Sequence, residues 1–229
     1  LSVVEPNATS IGGDCFAIIK MEGKKPVSYN GSGIAPEKAN YGFPQPHELG
    51  RKNITISSCV RWAGASVDTS SNKMFVTADN LASLISIKLS PNVKFGYYST
   101  WEPFVDLDGY PGIKPPWGTL TSMDLNTGKI IWQVPLGEDE KLIKKGIPIT
   151  GTENRSGATA SAGGLVFVSG TTDNKIRAFD SNNGEELWSY KMSYPGSAPP
   201  TLYMIDNKQY VVVPAFEKNG NELYAFSIK

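Results

Sequence analysis

The sequence is poor in the residues that most often carry chemistry: one histidine and two cysteines in 229 residues. Cys15 and Cys59 form no CxxC pair, so a redox couple or a zinc site has nothing to rest on. A single disulfide and two buried thiols both stay open for them, the thiols being the simpler case. His47 stands between Pro46 and Glu48 in a proline-rich stretch, and the chain has no G-x-S-x-G elbow to partner it. A Ser-His-Asp triad therefore has no support, and a turn or surface histidine is expected. Net charge is also missing: 22 basic side chains balance 22 acidic ones. That balance gives no electrostatic case for nucleic acid or an anionic membrane. No stretch approaches the roughly 18 apolar residues of a membrane span. The opening "LSVVEPNATS" lacks a basic region followed by an apolar core, so no signal peptide is expected there. Leu1 in place of Met points to processing or truncation upstream.

What is present is punctuation. Glycine (23) and proline (16) accompany 40% apolar residues, which fits a turn-rich β protein rather than a disordered one. Residues 157–192 read as four short strands. A small-residue strand at 158–162 is followed by the hairpin signal Gly163-Gly164, then by the apolar run 165–169. In 176–180, Ile176 and Ala178 alternate with Arg177 and Phe179, so this strand has two differently filled faces. Asn182-Asn183-Gly184 turns the chain, and 187–192 closes the unit with Trp188.

The unit recurs. Asp124, Gly128 and Trp132 in "MDLNTGKIIW" reappear at one constant shift as Asp180, Gly184 and Trp188 in "FDSNNGEELW". A third copy runs through 198–205, a turn at Asp206-Asn207, 210–213 and "ELYAFS" at 222–227, where only three strands are accounted for. The first copy begins at 64–68 and continues at 74–78. Repeated four-stranded units predict an all-β chain, a partial β-propeller of about three antiparallel blades. Residues 1–59 lack the repeat and read as a short α+β segment. It has strands at 15–20 and 27–29, a turn at 22–25, and a helix start at Pro36. Residues 80–117 form a long aromatic-rich insertion, where Asp106 and Asp108 only faintly suggest calcium because the twelve-residue loop with its final Glu is missing. Trp132 and Trp188 are expected to pack blade on blade. The edge at 222–227 is expected to be exposed or covered by another chain or further blades.

Two resemblances attach to this chain. "PNATSIGGDCFAIIK" with "YNGSGIAPEKA", from Pro6 to about Ala39, resembles the early part of gamma-glutamyltransferases. The catalytic threonine of that family belongs to a later segment with no counterpart here, so no transferase residue carries over. "VRWAGASVD", "PPWGTLTSMDLNTGKIIWQVPLGE", "TGTEN", "AGGLVFVSGTTDNKIRAFD" and "NKQYVVV" resemble the C-terminal part of membrane-type quinoprotein dehydrogenases of the glucose dehydrogenase kind. The implied organisation is a gamma-glutamyltransferase-like 1–59 and quinoprotein propeller blades over 60–229. This second resemblance implies an eight-bladed propeller, pyrroloquinoline quinone (PQQ) as cofactor, and a periplasmic location. It also implies a sugar or polyol substrate and a quinone electron acceptor. The family's catalytic aspartate, calcium ligands and quinone-contacting lysine match upstream blades and find no counterpart here.

In an up-and-down blade, the connections between second and third strands share one face with those leading to the next blade. Functional residues are expected on that face, whose polar connections run from Asp79-Asn80 onward and over 135–155, 171–174 and 214–221. By resemblance, Asp79 or Asn80 matches a family asparagine that approaches the cofactor, and Asp173 in "TTDN" matches an aspartate near it. Asn154 and Arg155 precede an innermost strand, where the Arg155 fork suits a cofactor carboxylate, although the family more often has an aromatic residue there. Lys218 takes the place of a family histidine implicated in substrate choice, so glucose specificity does not carry over. A non-catalytic propeller scaffold is the competing expectation, and gamma-glutamyl transfer a weaker one.

Overall fold

The computed structural model describes residues 2–4, 17–22, 25–30, 52–89 and 97–227. The readings of Cys15, His47 and a helix starting at Pro36 lie outside them. The chain divides into two units, Leu1–Cys59 with Asn80–Pro115, and Val60–Asp79 with Pro116–Lys229.

In the first unit, β1 (Ser2–Val4), β2 (Ala17–Glu22) and β3 (Lys25–Asn30) form an antiparallel sheet, with Glu22 opposite Lys25 at the expected turn. Two strands of 17 residues follow, β4 (Lys52–Asp68) and β5 (Lys73–Leu89). Residues 80–89 and 97–103 of the expected insertion are strand. The far half of β5 pairs with β6 (Tyr97–Pro103), from Ser83 opposite Pro103 to Leu89 opposite Tyr97. Its β-branched and aromatic content suits a pleated surface. Asp106 shapes the turn that follows: its carboxylate accepts the Asp108 and Tyr110 N–H groups, each at 2.9 Å. A turn former is thus what this aspartate is.

The second unit holds the repeats. The first sheet runs β4-β5-β7-β8, with β7 at Gly118–Asp124 and β8 at Lys129–Pro135. The second is β9 (Ala158–Ala160), β10 (Leu165–Val168), β11 (Lys175–Asp180) and β12 (Glu186–Lys191), in spatial order. The third is β13 (Thr201–Ile205), β14 (Lys208–Glu217) and β15 (Gly220–Ser227), with β15 at the edge among the described residues. These antiparallel meanders are the expected all-β architecture. One helix was not anticipated: α1 (Glu140–Lys144), capped by Asp139, whose carboxylate accepts the Lys141 and Leu142 N–H groups.

Strand alternation builds two cores from the middle sheet. Val166, Val168 and Phe179 pack with Phe75, Leu120 and Leu136 of the first sheet and its flank. On the other face, Phe167, Ile176 and Ala178 pack with Val211, Val213 and Ala215 of the third. Each fully buried side chain of this size stabilises by about 1.5–3 kcal/mol, so the stacking of sheets is the main adhesive.

The repeated Asp, Gly and Trp now have separate jobs. Asp124 and Asp180 start tight turns by accepting the Asn126 N–H (2.8 Å) and the Asn182 N–H (2.7 Å). Gly128 and Gly184 end them at φ of 68° and 76°, where a side chain is disfavoured. Trp132 then docks on the next sheet's turn. Its indole N–H donates to the Ser181 carbonyl at 3.1 Å and its ring lies over Gly184, as blade packing requires. Trp188, 39% exposed, packs edge-on against Phe226 of the third sheet at 5.2 Å.

Candidate cofactor-facing site

At the end of the second unit opposite these turns, backbones approach one another closely. Gly118, which opens β7 opposite Asp79, has no room for a Cβ because the Thr152 carbonyl lies against it. Trp117 N–H donates to Thr150 O at 2.7 Å and Thr152 N–H to Leu136 O at 2.8 Å. The segment leading into β9 is therefore laced to the first sheet by main-chain bonds.

Asp79 extends that lacing with its side chain. It is 4% exposed, and its carboxylate accepts the Asn154 N–H at 2.9 Å. Asn154 is fully buried: its amide donates to Ser169 O at 3.3 Å and accepts the Ser156 N–H at 2.6 Å. Its backbone also bridges Thr171, and the Arg155 N–H donates to Gly170 O at 3.0 Å. Residues 152–155 thus run along residues 169–172.

Asp173 ends that track. One carboxylate oxygen accepts the Thr171 hydroxyl at 2.5 Å and the Lys175 N–H at 3.1 Å, and the other accepts the Glu138 N–H at 2.9 Å. Arg177 clasps both oxygens and gives further bonds to Thr171 Oγ1 (3.0 Å) and Glu186 (3.0 Å). Both side chains are nearly inaccessible, at 3% for Arg177 and 4% for Asp173. Burial alone would raise the Asp173 carboxyl. The hydrogen bond and charge of Arg177, with the Thr171 hydroxyl and the Lys175 N–H, outweigh it and hold the group below the usual carboxylate range. Burial likewise opposes the Arg177 charge, and Asp173 and Glu186 restore it. Lys175 pairs with Glu138 beside them.

The structure brings some of the expected residues together and separates others. Asp79 and Asn154 are bonded directly, and Asp173 stands one side chain away through Thr171. Arg155 follows Asn154 with its side chain 68% exposed and Glu153 at 3.7 Å. Asn80 is a β5 residue, 9% exposed, at the start of the other unit's second segment. Asp79 and Asn80 lie within a strand, not on the connection expected from residue 79 onward. The expected polar loop over 214–221 is also mostly strand. β14 and β15 pair up to Glu217 opposite Gly220, so Lys218-Asn219 is a two-residue turn with Lys218 exposed at its tip. The close approach of Tyr194 to Gly220 and the bond from Phe216 N–H to Pro195 O (3.1 Å) hold that hairpin. Sequence reasoning did not single out Arg177 or Glu138 of this cluster, and it reached Thr171 only as part of "TTDN". A signal for Arg177 existed: it alternates onto the face of Phe179, and a charge on a buried face needs a partner.

The family described as "PQQ: Glucose/ethanol/alcohol dehydrogenase, beta-propeller domain" matches residues 53–211, well over half of the chain. The chain belongs to this quinoprotein family. It is 31% identical over 137 residues to "Quinoprotein glucose dehydrogenase" of Escherichia coli, covering 56% of this chain and 17% of that protein. It is 42% identical over 120 residues to "Quinate/shikimate dehydrogenase (quinone)" of Acinetobacter baylyi, covering 49% of this chain and 15% of that one. The chain therefore spans about a sixth of the length of these curated relatives. The fold matches quinohemoprotein alcohol dehydrogenase from Pseudomonas putida HK5 with a TM-score of 0.62 at 19% identity, covering 93% of this chain and 32% of that one. The quinoprotein match begins within β4, a few residues before the junction expected near residue 60.

Proposed function

We propose that this chain is the C-terminal portion of a periplasmic quinoprotein dehydrogenase that oxidises a sugar or polyol and passes the electrons to a quinone. The observation that carries the reading is the family match over 53–211, coinciding with sheets whose turns, cores and repeat positions agree. In such a reaction the carbinol carbon gives up a hydride and the hydroxyl a proton. PQQ, when bound, supplies the two-electron acceptor. The proton acceptor and the calcium ligands belong to upstream blades in this reading, and residues 1–59 form a separate gamma-glutamyltransferase-like segment without catalytic residues.

PQQ is a planar tricarboxylate, so a protein surface that takes it needs cations and N–H donors. Arg155 fits that need, with an exposed planar fork beside the innermost strand of its sheet. Asp79 and Asp173 support the wall instead, because both carboxylates are buried and engaged by protein donors. Asn154 completes the polar wall, and Asn80 is a cofactor candidate by resemblance alone. Lys218 stands ready for substrate at its hairpin tip, and a cation there favours a polyol that carries a carboxylate over glucose.

Two measurements on the intact protein test this. PQQ titration should show Arg155→Gln binding about tenfold more weakly, the loss expected for one charge-assisted contact. Dye-linked oxidation should proceed with glucose or with a hydroxylated cyclic acid. Failure to bind PQQ or to oxidise any of these alcohols in the presence of calcium would overturn the reading.

A further inference from the structure

We propose that Arg177 is a positioning residue for the cofactor wall, and that it sets where the Arg155 guanidinium stands. This rests on the PQQ reading of Arg155 above. A chain of bonds with few alternatives links Arg177 to Arg155. Arg177 is buried in the middle of β11 and holds Asp173 and Thr171 together, so the 171–173 corner has one arrangement. That corner and the residues before it form the track for the neighbouring segment. Thr172 N–H donates to Thr152 Oγ1 at 3.3 Å, Thr171 bridges Asn154, and Gly170 O accepts the Arg155 N–H. From the other side Asp79 pins the Asn154 N–H. Arg155 leaves this clamp with its side chain exposed, so any shift of the corner moves it.

The same corner also reaches the first sheet's exit. Asp173 accepts the Glu138 N–H while Lys175 pairs with the Glu138 carboxylate, so the ion-pair cluster fixes the Glu138 end of the 138–155 connection, and Thr171 and Gly170 hold the other end. Close packing leaves the track no slack. A Cβ on Gly170 would meet Ser156 Cβ at 2.5 Å, and one on Gly137 would meet the Thr152 side chain. Arg177 itself is buried and engaged by Asp173, Thr171 and Glu186, so its effect on a bound anion is indirect.

The test is a double-mutant cycle in the intact protein, read by PQQ titration and by hydrogen exchange at the Arg155 amide. Arg177→Met should weaken PQQ binding about tenfold, in the range of second-layer partners that orient a ligand. Arg177→Lys, which keeps the charge without the fork, should recover part of that loss and serves as the working variant if Arg177→Met does not fold. In Arg155→Gln, adding Arg177→Met should cost nothing more, and in each Arg177 variant the Arg155 amide should exchange faster while the β7 amides do not. Independent, additive losses would overturn the proposal, as would an Arg177 variant that binds PQQ like the parent. If Arg155→Gln keeps full affinity while Arg177→Met still speeds exchange at Arg155, the PQQ reading fails and the positioning role stands.

Discussion

Replacing Gly184 by alanine probes the seam between the first two sheets with a built-in control. Gly184 sits at φ 76°, and a Cβ there would lie 2.7 Å from Trp132 Cε3 and 3.0 Å from Cδ2. The left-handed backbone alone costs a residue with a Cβ about 1 kcal/mol. Overpacking against the indole adds about 1–3 kcal/mol, because Trp132 is held by its bond to Ser181 O and by Phe75 at 6.0 Å. Gly184→Ala should therefore destabilise by about 2–4 kcal/mol, a fall of roughly 6–12 °C in Tm for a domain of this size. Gly164 supplies the control: its φ is 82°, but the nearest atom to a Cβ is Ser181 Oγ at 3.6 Å, an ordinary contact. Gly164→Ala should cost about 1 kcal/mol, the backbone share alone. Thermal melts of the two variants, with Trp132→Leu combined with Gly184→Ala to relieve the clash, separate the two effects. Equal losses at Gly164 and Gly184, or no relief in the double variant, would refute the reading of Trp132 as a ring seated on the next sheet's turn.

Asp173→Asn leaves Arg177 as a buried cation with half its partners, and urea denaturation should show a loss of about 3–5 kcal/mol. Asp173 also predicts a pH dependence. Its folded carboxyl is held below the unfolded value, so the unfolded chain takes up the proton first as pH falls. The stability it contributes is present above the unfolded carboxylate pKa, near about 4, and is lost as pH falls through the lower folded value. Melting between about pH 6 and 2 should show this acid loss, and Asp173→Asn should flatten it. Trp132→Phe keeps a ring over Gly184 but removes the donor to Ser181 O, which should cost about 1 kcal/mol by denaturation. Lys218→Ala should leave stability within about 0.5 kcal/mol while raising KM for a carboxylate-bearing polyol more than for a neutral one, measured by steady-state kinetics.

Much of the fold was legible because turn chemistry is local. Asp180 and Gly184 need only each other and the residues between them, and Asp206-Asn207 turns the chain with both residues at positive φ. Strand limits were less legible. Nothing in "DNLASLISIKL" marks where β5 stops pairing with β7 and starts pairing with β6, since the same alternation serves both partners. The hairpin at Lys218 was hidden for a similar reason. Pro214 reads as a strand breaker, but its carbonyl takes the Ser197 N–H at 2.9 Å while its missing N–H is tolerated in the ladder opposite Leu223.

The sequence by itself determined the repeat, the tight turns at Asp124–Gly128, Asp180–Gly184 and Asp206-Asn207, and the two apolar faces of the middle sheet. These follow from periodicity and from backbone preferences that act over a few residues. Only the tertiary structure decided which polar residues are committed inside the protein and which face outward. Asp79 and Asp173 read as equal candidates with Arg155 until the fold brought Asn154 to one and Arg177, Thr171 and the Glu138 N–H to the other. Desolvation leaves a buried carboxylate no choice but to find donors, and where those donors come from depends on how distant segments pack, which no local pattern encodes.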